Sequence, residues 1–85
     1  MHVDYTLIKQ STRDSLDRYV NHHIPTGGFL KAVLENDLQE AFGRADEENC
    51  AALFHICAFV YNEIPRACYG SPKKVQAWLA LRQQS

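Results

Sequence analysis

The chain has 85 residues, 46% of them hydrophobic and 22% charged, with a formal net charge of -1. This composition fits one small globular domain over residues 1–85 and contains no stretch polar or repetitive enough to be disordered; at this length only roughly 60–65% of the unfolded chain's surface is buried, so the stability margin is thin. The charge balance excludes a duplex-DNA reader with a broad basic face, because phosphate contacts supply most of that affinity.

The opening segment, MHVDYTLIKQ, lacks the basic-then-apolar pattern of a secretory leader, which predicts a cytosolic protein. Val3, Tyr5 and Leu7 alternate with polar residues and predict a short extended arm. A first helix is expected to start near Ser11 or Thr12, whose hydroxyl can cap it. Leu16, Tyr19, Val20 and Ile24 follow at helical spacing, and Pro25 ends the segment at Ile24. Thr26-Gly27-Gly28 then leads into a second helix, read as continuous to Phe42, with Leu30, Val33, Leu34, Leu38, Ala41 and Phe42 on its apolar stripe. Gly43 is placed where a helix end favours positive φ.

Asp46 is expected to cap a third helix that ends at Ile64 before Pro65, with Asp46, Glu47 and Glu48 complementing the dipole of its first turn. From Cys50 to Tyr61 this helix is apolar on nearly every side. Such a run is too short to span a bilayer, so the reading is a central helix surrounded by others or by a second subunit, with no membrane partner. Ser71 caps a fourth helix with Pro72 at its first position, and Val75, Trp78 and Leu79 supply its apolar face. The expected fold is all-α: a small bundle of about four helices with an extended N-terminal arm, forming a homo-oligomer around helices two and three because large apolar patches are uncommon on monomers.

The usual catalytic patterns are not legible. Cys50 and Cys57 are seven residues apart on one helix, about 10 Å between Cα atoms and beyond disulfide reach, so reduced and mostly buried thiols are expected. The spacings of His22, His23, Cys50, His55 and Cys57 match no zinc pattern, which gives no metal and no cofactor. Cys68 falls in a loop with no base beside it. Asp37, Glu40, Asp46 and Glu63 read as helix caps and solvated faces.

The remaining candidates are two glycine-led helix starts. Unpaired amides at a helix N-terminus, at its positive end and next to glycine, can receive an anion. Thr26, Gly27, Gly28 and Phe29 fit that description, as do Tyr69, Gly70, Ser71, Lys73 and Lys74 following Arg66, with Phe29 and Tyr69 placed to stack on a base. Turn glycines and ordinary caps explain the same residues, and Gly27-Gly28 also read as a hinge. Neither motif has P-loop spacing.

Taken together, DRYVNHHIPTGGFLKAVLENDLQEAFGRADEEN and VYNEIPRACYGSPKKVQAW resemble a group of short bacteriophage and prophage proteins. The shared set lies at Gly27–Leu30, Ala32–Leu34, Asn36–Leu38, Ala45-Asp46, Asn49, Asn62-Ile64-Pro65, Gly70-Ser71, Val75 and Trp78, across about residues 16–78. The resemblance implies a non-enzymatic antagonist of host defence in the host-cell cytosol. Its partner would be an anionic nucleotide-like small molecule held at the helix N-termini or a host defence protein, the latter met by an acidic face of Glu35, Glu40, Glu47 and Glu48.

Overall fold

A computed structural model describes residues 2–84, and among them the fold is all-helical with no strand. Five α-helices follow in order: α1 (Gln10–His22), α2 (Gly28–Leu34), α3 (Leu38–Arg44), α4 (Glu47–Glu63) and α5 (Pro72–Ala80). Short 3-10 turns at Tyr5–Leu7, Arg66–Cys68 and Leu81–Gln84 complete it.

The N-terminal arm is not extended as its alternation predicts. The Asp4 carboxylate accepts from the Thr6 amide at 3.0 Å and the Thr6 hydroxyl at 2.6 Å, folding the chain into a 3-10 turn at Tyr5–Leu7. The arm lies on α4: the Asp4 amide donates to His55 Nδ1 at 3.0 Å, and the Tyr5 ring meets Phe59 edge-on at 5.1 Å. Helix α1 begins two residues before the expected cap, with Lys9 at the cap position and no side-chain bond to the first turn. Thr12 is instead buried inside the helix, where its hydroxyl donates to Asn49 Oδ1 at 3.3 Å. Lys9 is tied to α4 by an ion pair with Asp46 at 2.8 Å. The helix closes at His22, with His23 in the left-handed region at φ 57°, so Pro25 follows a stop already made.

The second predicted helix is two. Asn36 turns left-handed at φ 63°, and the Asp37 side chain accepts from the Glu40 amide to cap α3 afresh. Asparagine tolerates that conformation through its short polar side chain, so the chain breaks where apolar spacing predicts continuity. The break sends the two halves of the stripe different ways: Leu30, Val33, Leu34 and Ala41 are buried, whereas Leu38 and Phe42 are exposed. Gly43 lies within α3 at negative φ, and Ala45 is the residue that ends the helix.

Helices α4 and α5 start as their punctuation predicts. Asp46 accepts from the Asn49 amide at 2.7 Å, and Ser71 from the Lys74 amide at 3.2 Å with Pro72 behind it. Ala52, Ile56 and Val60 form the buried stripe of α4. The core joins these residues to Leu16 and Tyr19 of α1, Leu34 of α2, Cys68 and Val75. Three polar bonds fix its layout. The Tyr19 hydroxyl donates to the Cys68 carbonyl at 2.7 Å, Trp78 Nε1 donates to the Tyr19 carbonyl at 2.9 Å, and the Gly70 amide donates to the Leu34 carbonyl at 2.7 Å. The His23 ring packs at a tilt of 43° against Trp78, ring centres 4.5 Å apart, and donates from Nδ1 to the Trp78 carbonyl at 3.0 Å, locking the end of α1 to α5.

Candidate functional site

Gly27 is extended at φ -70° and Gly28 opens α2 at negative φ, so neither is a hinge that needs positive φ. Both are exposed, and the space where a Gly27 side chain would stand is open. Thr26 donates from its hydroxyl to the Gly27 carbonyl at 3.1 Å. At Gly28 a Cβ would stand 3.0 Å from Arg44 Nη1. Arg44 thus lays its guanidinium over the start of α2 while pairing with Glu40 one turn back. The sequence reading missed this cation, because it becomes adjacent to Gly28 only once Asn36 folds α3 back on α2.

The second glycine site is built differently. Gly70 has φ 123°, a conformation side-chain-bearing residues rarely adopt. Its amide is already committed to Leu34. The Lys74 stem runs along it, with Cδ 3.5 Å from where a Cβ would stand. Lys73, Lys74 and Arg66 are exposed and Ser71 is half-buried, its hydroxyl engaged as the α5 cap. Leu34 ends α2 and Gly28 begins it, so at about 1.5 Å per residue the two glycine sites flank opposite ends of α2, roughly 9 Å apart along its axis. The two stacking candidates, Phe29 and Tyr69, are both half-buried and pack against the core. The Tyr69 hydroxyl donates to the Tyr61 carbonyl at 3.4 Å.

A larger exposed feature is apolar. Leu38 and Phe42 on α3 are 57% and 62% exposed, and Phe54 and Tyr61 on α4 are 43% and 70% exposed. Leu38 and Tyr61 line one groove with Val33, Cys57, Val60 and Tyr69, about 150 Å³ in volume. Phe42 continues the line one turn beyond Leu38, and Phe54 two turns before Tyr61. The sequence reading placed Leu38 and Phe42 on one apolar stripe with Leu30, Val33, Leu34 and Ala41, and the break at Asn36 separates these two exposed residues from the buried part of that stripe.

The other reactive groups are dispersed. Cys68 is fully buried in the 3-10 turn, and burial pushes its thiol above the ordinary range, which makes it a poor nucleophile. Burial raises the Cys57 thiol as well. Cys50 is exposed rather than buried, since it sits on the outer side of the first turns of α4. Among the described residues no three of His, Cys, Asp and Glu gather as metal ligands, and no helix is long and apolar enough to cross a membrane. Asp37 caps α3, Glu40 pairs with Arg44 and Asp46 pairs with Lys9, three separate structural tasks. Comparison with protein-family models, curated proteins and solved structures finds no match.

Proposed function

We propose that this chain is a non-enzymatic binding protein, active as a homo-oligomer assembled through the α3–α4 apolar face, which antagonises bacterial host defence by gripping a defence protein. The observation that carries the reading is the exposure of Leu38 and Tyr61 at one groove, with Phe42 and Phe54 also exposed on the same two helices. With an aromatic side chain presenting about 150–250 Å² when bare, those four expose on the order of 400 Å² in each copy. Two copies would remove about 800 Å² through these side chains alone, the apolar centre of an interface whose stable examples bury roughly 1,200–2,000 Å² in total. A second copy is the natural occupant, because an apolar patch that is the same on both partners pairs with itself about a two-fold axis. The role in defence rests on the likeness of residues 16–78 to the phage group.

A native mass spectrum of freshly purified protein is the test. A dimer or higher species without retained nucleotide supports the reading. A 9.7 kDa monomer carrying a nucleotide overturns it. Plating phage on defence-bearing hosts that express either the wild type or Phe54→Asp then tests the role, with plaques expected to rise only with the wild type.

One observation favours a second reading, sequestration of an anionic nucleotide-like ligand: a cation stands at one glycine of each candidate helix start, Arg44 at Gly28 and Lys74 at Gly70. That reading predicts thermal stabilisation by nucleotides, growing as RT ln(1 + [L]/Kd), and its loss in Gly28→Ala. The protein-binding reading predicts no shift with any mono- or cyclic dinucleotide.

A further inference from the structure

Away from the apolar face lies a second groove, between α1 and the C-terminal half of α4, about 420 Å³ in volume. At 3.6 residues per turn, Phe59 and Glu63 stand on the far side of α4 from Phe54 and Tyr61, so the two surfaces are separate. The apolar floor of the second groove is presented by the half-buried Val20 and Phe59, backed by the buried Leu16 and Ile64. The rim carries three carboxylates, Asp14, Asp17 and Glu63, against one guanidinium, Arg13. Neutral carboxamides orient two of those carboxylates: Gln10 donates to Asp14 and Asn21 to Asp17, each at 2.8 Å. Among the described residues none of the three carboxylates forms an ion pair.

This is a groove of ligand size with negative charge above an apolar bed. Its complement is a cation on an aliphatic stem, which lays its methylenes on the floor and its head between the carboxylates. Arginine meets the geometry best, since its planar fork pairs with carboxylates and its guanidinium also stacks on an aromatic face such as Phe59.

We propose that the α1–α4 groove docks a basic peptide segment of the partner protein, with an arginine between Asp14, Asp17 and Glu63 and a neighbouring apolar side chain on the half-buried Val20 and Phe59. The inference rests on the reading of the chain as a protein binder. It replaces the acidic face expected at Glu35, Glu40, Glu47 and Glu48, of which Glu40 is already paired with Arg44, by one that has an apolar floor.

The test is calorimetric titration of the full chain with a ten-residue peptide alternating arginine and leucine. Two control peptides replace every arginine with citrulline, its uncharged isostere, or every leucine with serine. Each control is expected to bind at least tenfold more weakly than the parent peptide. Asp14→Asn/Asp17→Asn is expected to weaken the arginine peptide at least tenfold with an unchanged melting temperature. Glu63→Gln provides an independent variant, and amide chemical-shift changes at Leu16, Val20 and Phe59 locate the contact should the double variant fold poorly. Equal affinity for the citrulline peptide, undiminished binding by the variants, or no binding at millimolar peptide overturns the proposal. Phe54→Asp leaves this binding intact while it breaks the assembly face, so the two readings fail separately.

Discussion

The glycines show how one residue type takes opposite roles in a single chain. Gly43 sits inside α3 at negative φ with open space where a side chain would project. Gly43→Ala therefore adds helix propensity without a clash and should raise stability by about 0.5–1 kcal/mol. Gly70 stands at φ 123°, and Gly70→Ala should cost about 1–3 kcal/mol for strained backbone, with the Leu34 contact at risk as well. Urea melts of both variants check the pair; a loss at Gly43 equal to that at Gly70 contradicts the assigned backbone conformations. The Tyr19 hydroxyl is a comparable single-atom device. It is buried against the Cys68 carbonyl, and burial lifts the phenol well above its ordinary pKa. Tyr19→Phe leaves that carbonyl unpaired and should destabilise by about 1–3 kcal/mol in the same melts.

Between elements, the short-range chemistry was legible and the long-range geometry was not. Asp46, Ser71 and Pro72 mark helix starts because a cap acts on amides two or three residues away, and α4 and α5 begin where those residues place them. The break at Asn36-Asp37 was missed because apolar spacing runs straight through it: Leu34, Leu38 and Ala41 keep helical periodicity across a turn that reorients the chain. Of the candidate site, exposure of Gly27, Gly28, Lys73 and Lys74 followed from their place in turns and first helical turns. The position of Arg44 over Gly28 and the packing of Phe29 and Tyr69 against the core depend on long-range contacts. The ties between elements also predict an acid response. The Lys9 ammonium and the Asn49 amide hold Asp46 below the ordinary aspartate value of 3.8, and hydrogen bonds from Thr6 do the same for Asp4. A carboxylate that binds fewer protons when folded contributes stability above the ordinary value, and that contribution is lost as pH falls through the lower folded value. Melting temperature should therefore drop below about pH 3.8, and less steeply in Asp46→Asn, which keeps a capping oxygen but carries no charge; parallel acid limbs in the two proteins contradict the assignment.

At the scale of the whole molecule, the chain divides its apolar surface unevenly. Helix α4 buries Ala52, Ile56 and Val60 inside one copy and leaves Phe54 and Tyr61 on the opposite side. The other four helices leave those two side chains uncovered, and under the proposed assembly a second copy covers them. Such an assembly would make folding and association linked equilibria. When a second copy binds only the folded form, stability depends on protein concentration and the melting point rises as the protein is concentrated. Phe54→Asp separates the two contributions. The side chain is 43% exposed in a single copy, so a charge there keeps access to water in the monomer, whereas in an assembly it would be buried without a partner at a cost of several kcal/mol. Calorimetric scans across a hundredfold range of concentration should show the wild-type melting temperature climbing steadily and the Phe54→Asp value staying flat, the two converging at the lowest concentration. A wild-type melting temperature independent of concentration would mean that α4 keeps its apolar side open to water as a monomer, and the assembly face would have to be abandoned.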